Sequence, residues 1–190
     1  MKNRIQVLDC TLRDGGYCND WCFGEENIKS IISSLQDAHL DIIECGYISD
    51  RAAEDDNSSL YMSICKIKHF IKNRADGQFY VVMMNYGEVD IESLPNKKDT
   101  CIDGIRVAFH KEDRNSAIDI CRKVKEKGYQ VFIQPMVTTS YKDEELIKLL
   151  HDVMSIQPYA LYIADSFGTI RNKDIMRLLC QCVVSSVGCV

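Results

Sequence analysis

An arginine and an aspartate stand side by side just after the first strand-like run of the chain, and two glycines follow them. In a parallel α/β protein the residues that follow a strand line the ligand-binding mouth, so Arg13 and Asp14 are candidates for chemistry. Asp14 would supply a hard oxygen ligand to a divalent cation, and Arg13 would offer forked donors to a carboxylate or a developing enolate oxygen. Gly15 and Gly16 would let the backbone turn sharply beside a ligand. The alternative is a strand-end turn in which the Arg–Asp contact is only structural.

The elements that must position these residues alternate between short apolar runs and longer stretches of helical period. Six strands are predicted, over residues 5–9, 42–46, 79–84, 104–109, 131–136 and 160–164. Five helices are predicted, over residues 25–38, 57–73, 115–127, 143–155 and 173–187. A short helical stretch near 88–94 falls in a connection that Pro95 and a Lys-Lys-Asp run mark mostly as loop. Because parallel strands joined by helices are buried on both faces, such strands need not alternate apolar with polar residues.

This repeat predicts one α/β domain over residues 1–190, built either as an open doubly wound sheet or as a (β/α) barrel. Six units of roughly 30 residues fill the chain, whereas a complete eight-unit barrel needs about 250 residues. An unclosed barrel would expose the edges of its first and sixth strands, which is costly. We therefore expect a truncated chain, or one that is completed by another subunit or segment.

The composition is that of an ordinary globular protein, with 46% hydrophobic residues among 190. Lys and Arg number 23 against 28 Asp and Glu, so the net charge is −5 and no basic field is available to bind nucleic acid. No apolar run approaches the roughly 18–20 residues that a membrane-spanning helix needs. We therefore expect a soluble, cytoplasmic protein without nucleic-acid or membrane partners.

Ten cysteines are scattered through apolar segments, at a density below that of small secreted disulfide scaffolds. Most are expected to be reduced thiols in the core. Cys10, Cys18 and Cys22 come nearest to the spacing of a metal site, but no further thiol follows closely. A zinc or iron–sulfur site is therefore not favoured there.

Four segments, each at a predicted strand, resemble the metal-dependent aldolase and lyase superfamily that includes hydroxymethylglutaryl-CoA lyase, isopropylmalate synthase and 4-hydroxy-2-oxovalerate aldolase. They are Leu8-Asp9-Cys10-Thr11-Leu12-Arg13-Asp14-Gly15-Gly16-Tyr17, Ile43-Glu44-Cys45-Gly46-Tyr47, Ile105-Arg106-Val107-Ala108-Phe109-His110 and Ala164-Asp165-Ser166-Phe167-Gly168. Their order and spacing are similar to successive strands of one barrel, and the likeness is greatest to the hydroxy-oxovalerate aldolase branch. The resemblance implies a (β/α)8 TIM barrel, present here as its first six βα units.

The same resemblance implies a metal site. Asp14 matches the carboxylate that binds the catalytic divalent metal, typically Mn²⁺ or Mg²⁺, and Arg13 matches the arginine that steadies the enolate of a 2-oxo acid. The family's two other metal ligands form a His-x-His pair on the seventh strand. The implied site is incomplete in this chain, because no two of its histidines are separated by a single residue. The four histidines are His39, His69, His110 and His151.

Tyr17 departs from the family pattern, because the hydroxy-oxovalerate aldolases carry there a histidine that is thought to be the base. A phenol has an ordinary pKa of about 10 and is a poorer base at neutral pH unless a cation lowers that pKa. The identity of the substrate is therefore left open by the sequence.

Four further residues are candidates. His110, at the end of the fourth predicted strand, is either a substrate or acid–base group or a structural cap. Glu44, on the second predicted strand, is expected to support Arg13. Asp165 and Ser166, after the sixth predicted strand, either contact substrate or cap the next helix.

The resemblance implies metal-dependent aldol or retro-aldol chemistry, in which a 4-hydroxy-2-oxo acid gives pyruvate and an aldehyde. The partner implied is a small 2-oxo acid. Self-association into a homo-oligomer and completion by another chain or segment stay open as alternatives. Because the His-x-His pair is absent, we expect little or no activity from the 190-residue chain itself. The alternative is a catalytically silent fragment or a non-enzymatic interaction module on the same fold.

Overall fold

The computed structural model describes residues 5–71, 73–74 and 76–184. It divides into two compact units, Met1–Ile105 and Arg106–Val190. That the two form a single domain stays a prediction.

The first unit consists of a parallel sheet with helices and turns between its strands. In chain order its elements are β1 (Leu8–Asp9), α1 (Thr11–Asp14), α2 (Glu25–Asp37), β2 (Ile42–Ile48), β3 (Leu60–Tyr61) and β4 (Phe79–Asn85), with 3₁₀ helices at Gly15–Cys18, Ile64–His69 and Lys97–Asp99. Strand β5 (Gly104–Phe109) begins at the end of this unit and runs into the second.

Strand β2 is the centre of this sheet and pairs in parallel with β1, β3 and β4. All seven of its residues are buried, Glu44 among them. Such a strand is covered on both faces, which explains why its sequence shows no polar alternation. Helix α2 buries Ile28 and Ile32 and carries acidic residues in its first turn, where they complement the helix dipole.

The predicted helix over residues 57–73 is wrong. Over its described residues, 57–71 and 73, the segment holds only the two-residue strand β3 and the 3₁₀ helix Ile64–His69. Ser59 explains the difference, because its carbonyl accepts a hydrogen bond from the Tyr47 amide at 3.0 Å and so draws the chain alongside β2 instead of into a helix. The apolar spacing that suggests a helix is met here by a strand and a tighter helical turn.

The connection around 88–94 is predicted mostly as loop, and its residues form turns instead of the short helix that their apolar spacing also suggests. Asp90 organises them: its amide donates to the Asp50 carboxylate at 2.7 Å, and its own carboxylate accepts from the Glu92 amide at 3.0 Å. An aspartate that bonds nearby backbone in this way competes with helix formation. Strand β1 is shorter than the predicted 5–9.

The second unit follows the predicted alternation closely. Its elements after β5 are α3 (Arg114–Glu126), β6 (Gln130–Pro135), α4 (Asp143–Ile156), β7 (Ala160–Leu161) and α5 (Asn172–Val184), with 3₁₀ helices at Lys111–Asp113 and Thr138–Ser140. Strands β6 and β7 pair in parallel, with Phe132 opposite Ala160. Helix α4 turns a buried stripe inwards through Leu146, Leu149, Leu150 and Val153. The alternating α/β class with parallel strands is thereby confirmed, whereas strand β7 ends before the predicted residue 164 and residues 185–187 of the last predicted helix lie outside the described part.

Most cysteines are free thiols, as predicted, but few of them lie in the core. Eight are free within the described residues, and of these only Cys45 and Cys121 are buried. Cys182 is disulfide-bonded. Among the described residues no helix has the length and apolar character to cross a membrane.

Candidate active site

Arg13 lies between two carboxylates in the first unit. Its Nε donates to Glu44 Oε2 at 3.0 Å, and its Nη1 donates to Asp14 Oδ1 at 2.8 Å. The Arg13 side chain is only 11% exposed and that of Glu44 is fully buried, whereas that of Asp14 is 64% exposed. The contact that the sequence analysis expects between Glu44 and Arg13 is present, and Asp14 joins them from the solvent side.

Glu44 fixes both the charge and the direction of this guanidinium. Burial alone would lower the pKa of Arg13, but the attraction and hydrogen bond of Glu44, with smaller contributions from Cys10 and Asp14, together raise it. Within the described part of the chain, the Nη2 group of Arg13 donates no hydrogen bond to protein. A permanently charged donor is therefore held in place with its own N–H groups available to an anionic ligand.

The turn after β1 sets the position of the Arg13 backbone. Asp9 closes this turn, because its carboxylate accepts from the Thr11 amide at 2.9 Å and from the Thr11 hydroxyl at 3.0 Å. The Cys10 carbonyl accepts from the amides of Arg13 and Asp14 at 3.0 and 2.7 Å, which closes the single turn of α1. The pairing of β1 with β2 then brings α1 beside Glu44.

Leu12 anchors α1 on its buried side. It is completely buried, and its carbonyl accepts a hydrogen bond from the Ser59 hydroxyl at 2.6 Å. Ser59 also bonds β2 through Tyr47, so one residue ties α1 to the central strand. Gly46 permits this approach, because a Cβ there would stand 2.2 Å from the Ser59 carbonyl oxygen.

Aromatic rings pack beside the arginine. Tyr17 meets Trp21 edge to face at 4.9 Å between ring centroids, and Trp21 stacks on Tyr47 at 5.8 Å. The Tyr47 hydroxyl donates to Glu88 Oε2 at 2.5 Å. Burial is the main cause that raises the pKa of Tyr47 far above its ordinary value, and the Glu88 carboxylate raises it further. Tyr47 is therefore a protonated donor at neutral pH. Tyr17 is 62% exposed and forms the solvent side of the group.

The other three candidates lie in the second unit. Asp165 accepts hydrogen bonds from the amides of Thr169 and Ile170 at 2.9 and 3.1 Å. Desolvation acts to raise the pKa of Asp165, but these and neighbouring backbone amides outweigh it, so the pKa is lowered. The Ser166 hydroxyl accepts from the Val137 amide at 3.0 Å. His110 follows β5 and is exposed. Asp165 and Ser166 thus bond backbone groups of their own unit.

The donor set does not fit a complete metal site. Asp14 offers a carboxylate that is already shared with Arg13. Within the described residues no group of three or more His, Cys, Asp or Glu side chains is placed to hold a metal ion. A single carboxylate leaves most of the coordination shell to water, which makes for weak binding of Mg²⁺ or Mn²⁺.

Sequence reasoning missed three residues that organise this region, namely Trp21, Ser59 and Glu88. The Gly-Gly pair at 15–16 and the turn-forming residues Asn19 and Asp20 are the local signals that could have indicated a tight loop carrying Trp21. Ser59 bonds to Leu12, which is 47 positions away in the sequence, and Glu88 bonds to Tyr47, which is 41 positions away. A local sequence pattern does not indicate bonds over such distances.

Comparison with known proteins gives one curated relative. The chain is 25% identical over 179 residues to a 4-hydroxy-2-oxovalerate aldolase from Geobacillus genomosp. 3, a match that covers 92% of this chain and 52% of that protein. The chain thus spans about half the length of the curated relative it matches. No protein-family model matches the chain.

Solved structures share the fold over nearly the whole chain. The N-terminal domain of a proposed aldolase from Bacteroides vulgatus matches with a TM-score of 0.72 and 24% identity, over 93% of this chain and 60% of that one. The HMG-CoA lyase from Brucella melitensis matches with a TM-score of 0.63 and 13% identity, over 95% and 68%. The carboxyl transferase domain of Rhizobium etli pyruvate carboxylase with pyruvate matches with a TM-score of 0.69 and 12% identity, over 97% and 34%.

These matches confirm two predictions. The fold class is that of a TIM barrel present in part, because the barrel structures match nearly all of this chain while the chain covers only a fraction of their length. The resemblance to an aldolase is confirmed by the curated relative, and the solved structures share the fold.

Proposed function

We propose that the chain binds a 2-oxo acid such as pyruvate through Arg13, as the anion-binding part of a carbon–carbon lyase. One observation carries this proposal: a largely buried arginine is held by a buried glutamate and keeps the N–H groups of Nη2 for a ligand. A guanidinium presents its donors in a fork that matches a carboxylate, and it stays charged at every physiological pH. The likeness to an aldolase and to a domain solved with pyruvate supports this class of ligand.

The proposed reaction is the aldol cleavage of a 4-hydroxy-2-oxo acid. A base removes the proton of the C4 hydroxyl, the C3–C4 bond breaks, and an aldehyde leaves. The electron pair of that bond moves into an enolate whose negative charge lies on the C2 oxygen, and protonation of C3 gives pyruvate. Arg13 would stabilise the C2 oxygen by a charged hydrogen bond that strengthens as the enolate forms.

Roles for the remaining candidates are part of the proposal. Tyr17 and His110 are proposed to serve in proton transfer, because each combines an exposed position with a ring that can donate or accept a proton. Glu44 is proposed to position Arg13. Asp165 and Ser166 are proposed to contact substrate in addition to the backbone bonds that they make.

A divalent metal, Mn²⁺ or Mg²⁺, is proposed for the whole protein on the strength of the resemblance, with Asp14 as its ligand in this chain. When bound, such an ion would polarise the 2-oxo group as a Lewis acid. Because the described residues do not complete a metal site, the steps assigned above are those of the chain's own side chains.

The incomplete donor set favours a second candidate function. In this alternative the chain binds a 2-oxo acid but does not cleave it, and it acts as a silent or interacting module on the lyase fold. The two candidates share the role of Arg13 and differ only in turnover.

Isothermal titration with pyruvate tests the shared claim. We expect binding by the wild-type chain and at least tenfold weaker binding by Arg13→Ala, since a charged hydrogen bond of this kind is worth about 1.5–3 kcal/mol. Arg51→Ala is the matched control, because Arg51 is an exposed arginine of the same unit. Equal affinity in Arg13→Ala and wild type would overturn the proposal.

Incubation with 4-hydroxy-2-oxovalerate and Mn²⁺ or Mg²⁺ separates the two candidates. Pyruvate release that is lost in Arg13→Ala supports the lyase. Pyruvate binding without release supports the silent module.

A further inference from the structure

The indole of Trp21 is bonded to the backbone of Arg13. Its Nε1–H donates to the Arg13 carbonyl at 2.9 Å. This carbonyl lies in the four-residue helix α1, where the last C=O groups have no partner inside the helix. A half-buried indole N–H therefore completes the hydrogen bonding of the residue whose side chain is the candidate anion binder.

The backbone of Trp21 is itself strongly constrained. Asp20 and Trp21 have φ of 53° and 58°, in the left-handed region that side chains other than glycine rarely adopt. The Trp21 amide donates to the Gly16 carbonyl and the Trp21 carbonyl accepts from the Ser59 amide, both at 3.0 Å. Such a conformation persists only where the surrounding contacts enforce it.

The ring of Trp21 occupies a site shaped for it. A Cβ on Gly16 would stand 2.0 Å from the Trp21 ring, so the ring lies against bare backbone. On another side it stacks on Tyr47, which is buried and bonded to Glu88. The ring is thus fixed by the loop after β1 and by strand β2, the two elements that carry Arg13 and Glu44.

We propose that Trp21 is a positioning residue for Arg13. Its indole N–H and its packing on Gly16 hold the single turn of α1 in the orientation that brings the Arg13 guanidinium onto Glu44. The inference rests on the proposed function of Arg13 only where ligand binding is measured. It assigns a role to the tightly turned loop 15–24 that neither the sequence pattern nor the lyase chemistry requires.

The test removes the N–H and leaves the ring. Trp21 is the only tryptophan of the chain, so growth on an analogue can replace it with 3-benzothienylalanine, in which sulfur stands where the N–H was. Trp21→Phe is the genetic counterpart. Tyr80→Phe is the matched control: it removes hydroxyl hydrogen bonds of a fully buried ring on β4, at the residue opposite Ile43 and not Glu44.

Two readouts are needed. The first is the exchange rate of the Arg13 Nε–H proton, measured by ¹⁵N NMR without any ligand, because this proton forms the bond to Glu44. We expect exchange about 5- to 10-fold faster in the analogue protein and unchanged in Tyr80→Phe. The second is pyruvate affinity, which we expect to weaken about 5-fold in the analogue protein.

The outcomes separate the two proposals. Faster Arg13 exchange with no pyruvate binding even in wild type would support the positioning role and refute the proposed function. Wild-type binding together with unchanged Arg13 exchange in both Trp21 variants would overturn the positioning role and leave the proposed function standing. A loss of thermal stability with unchanged exchange would assign Trp21 a purely structural role.

Discussion

The acidic residues that follow strands β1 and β7 hold different partners, although each comes shortly after the end of its strand. After β1, Asp14 together with the β2 residue Glu44 surrounds an arginine. After β7, Asp165 accepts backbone amides of its own loop. In the first arrangement the Arg13 guanidinium keeps N–H groups that can bind a ligand. In the second, the backbone amides that bond to Asp165 are taken up by that carboxylate. Position after a strand therefore does not decide what an acidic residue does; the partner that it holds does.

Removing Glu44 should have the largest effect. Glu44→Ala leaves the buried Arg13 without its buried counter-ion, which is expected to lower the free energy of unfolding by about 3–5 kcal/mol. Urea denaturation followed by circular dichroism measures this change. Asp165→Ala is the comparison variant, and its loss is expected to be much smaller because Asp165 bonds only exposed backbone. Similar losses in the two variants would contradict the contrast drawn between the strand ends.

Gly16→Ala is expected to come next, at about 2–3 kcal/mol of destabilisation, because its Cβ would overlap the Trp21 ring. Gly15→Ala is a closely matched control. There the nearest atom is the Phe23 Cζ at 3.3 Å, at the end of a side chain that can move. Thermal unfolding should separate these neighbouring variants; equal melting temperatures would show that the Trp21 ring is not packed on Gly16.

Asp165 should give a smaller effect that depends on pH. Its pKa in the folded protein lies below the ordinary value of 3.8, so the ionised form stabilises the fold above pH 3.8 and this contribution is lost as the pH falls through the lower folded pKa. Asp165→Asn should therefore lower the melting temperature at pH 6, and the difference from wild type should shrink below pH 3.8. A difference that persists unchanged at the lowest pH at which the protein stays folded would argue against the capping role.

Tyr17→Phe should have the smallest effect on stability, within about 0.5 kcal/mol, since the ring stays and the side chain is 62% exposed. Pyruvate affinity should also stay within twofold of wild type. If the lyase reaction is present, its turnover should fall in this variant while binding is kept. A large loss of pyruvate affinity would instead place the Tyr17 hydroxyl in contact with the ligand.

The sequence was sufficient for the grouping of Arg13, Asp14 and Glu44, because β1 pairs in parallel with β2 and so places the residues that follow β1 beside the β2 residue Glu44. It was insufficient for the segment 57–73. Apolar residues three to four positions apart, such as Leu60, Ile64 and Ile67, suit a helix and also suit the strand and 3₁₀ turn that form. The bonds of Ser59 to α1 and β2 decide between these, and they are invisible locally.

Trp21 shows the same limit at the candidate site. Its importance depends on two left-handed residues and on a glycine five positions earlier that has no side chain to exclude the ring. The sequence indicates the glycine and the turn, but it does not indicate which aromatic ring packs against the backbone of Gly16. Cytoplasmic location, self-association and the identity of the metal stay predictions of the sequence and the resemblance.

The central claim is that Arg13, held by Glu44, binds the 2-oxo acid directly. It is tested most directly by ¹⁵N NMR of the arginine side chains during titration with pyruvate. The account predicts that the Arg13 guanidinium signals shift with saturation while the Arg13 Nε–H proton stays protected by Glu44, and that the signals of the exposed Arg51 do not move. Saturable shifts elsewhere with the Arg13 signals unchanged would contradict it.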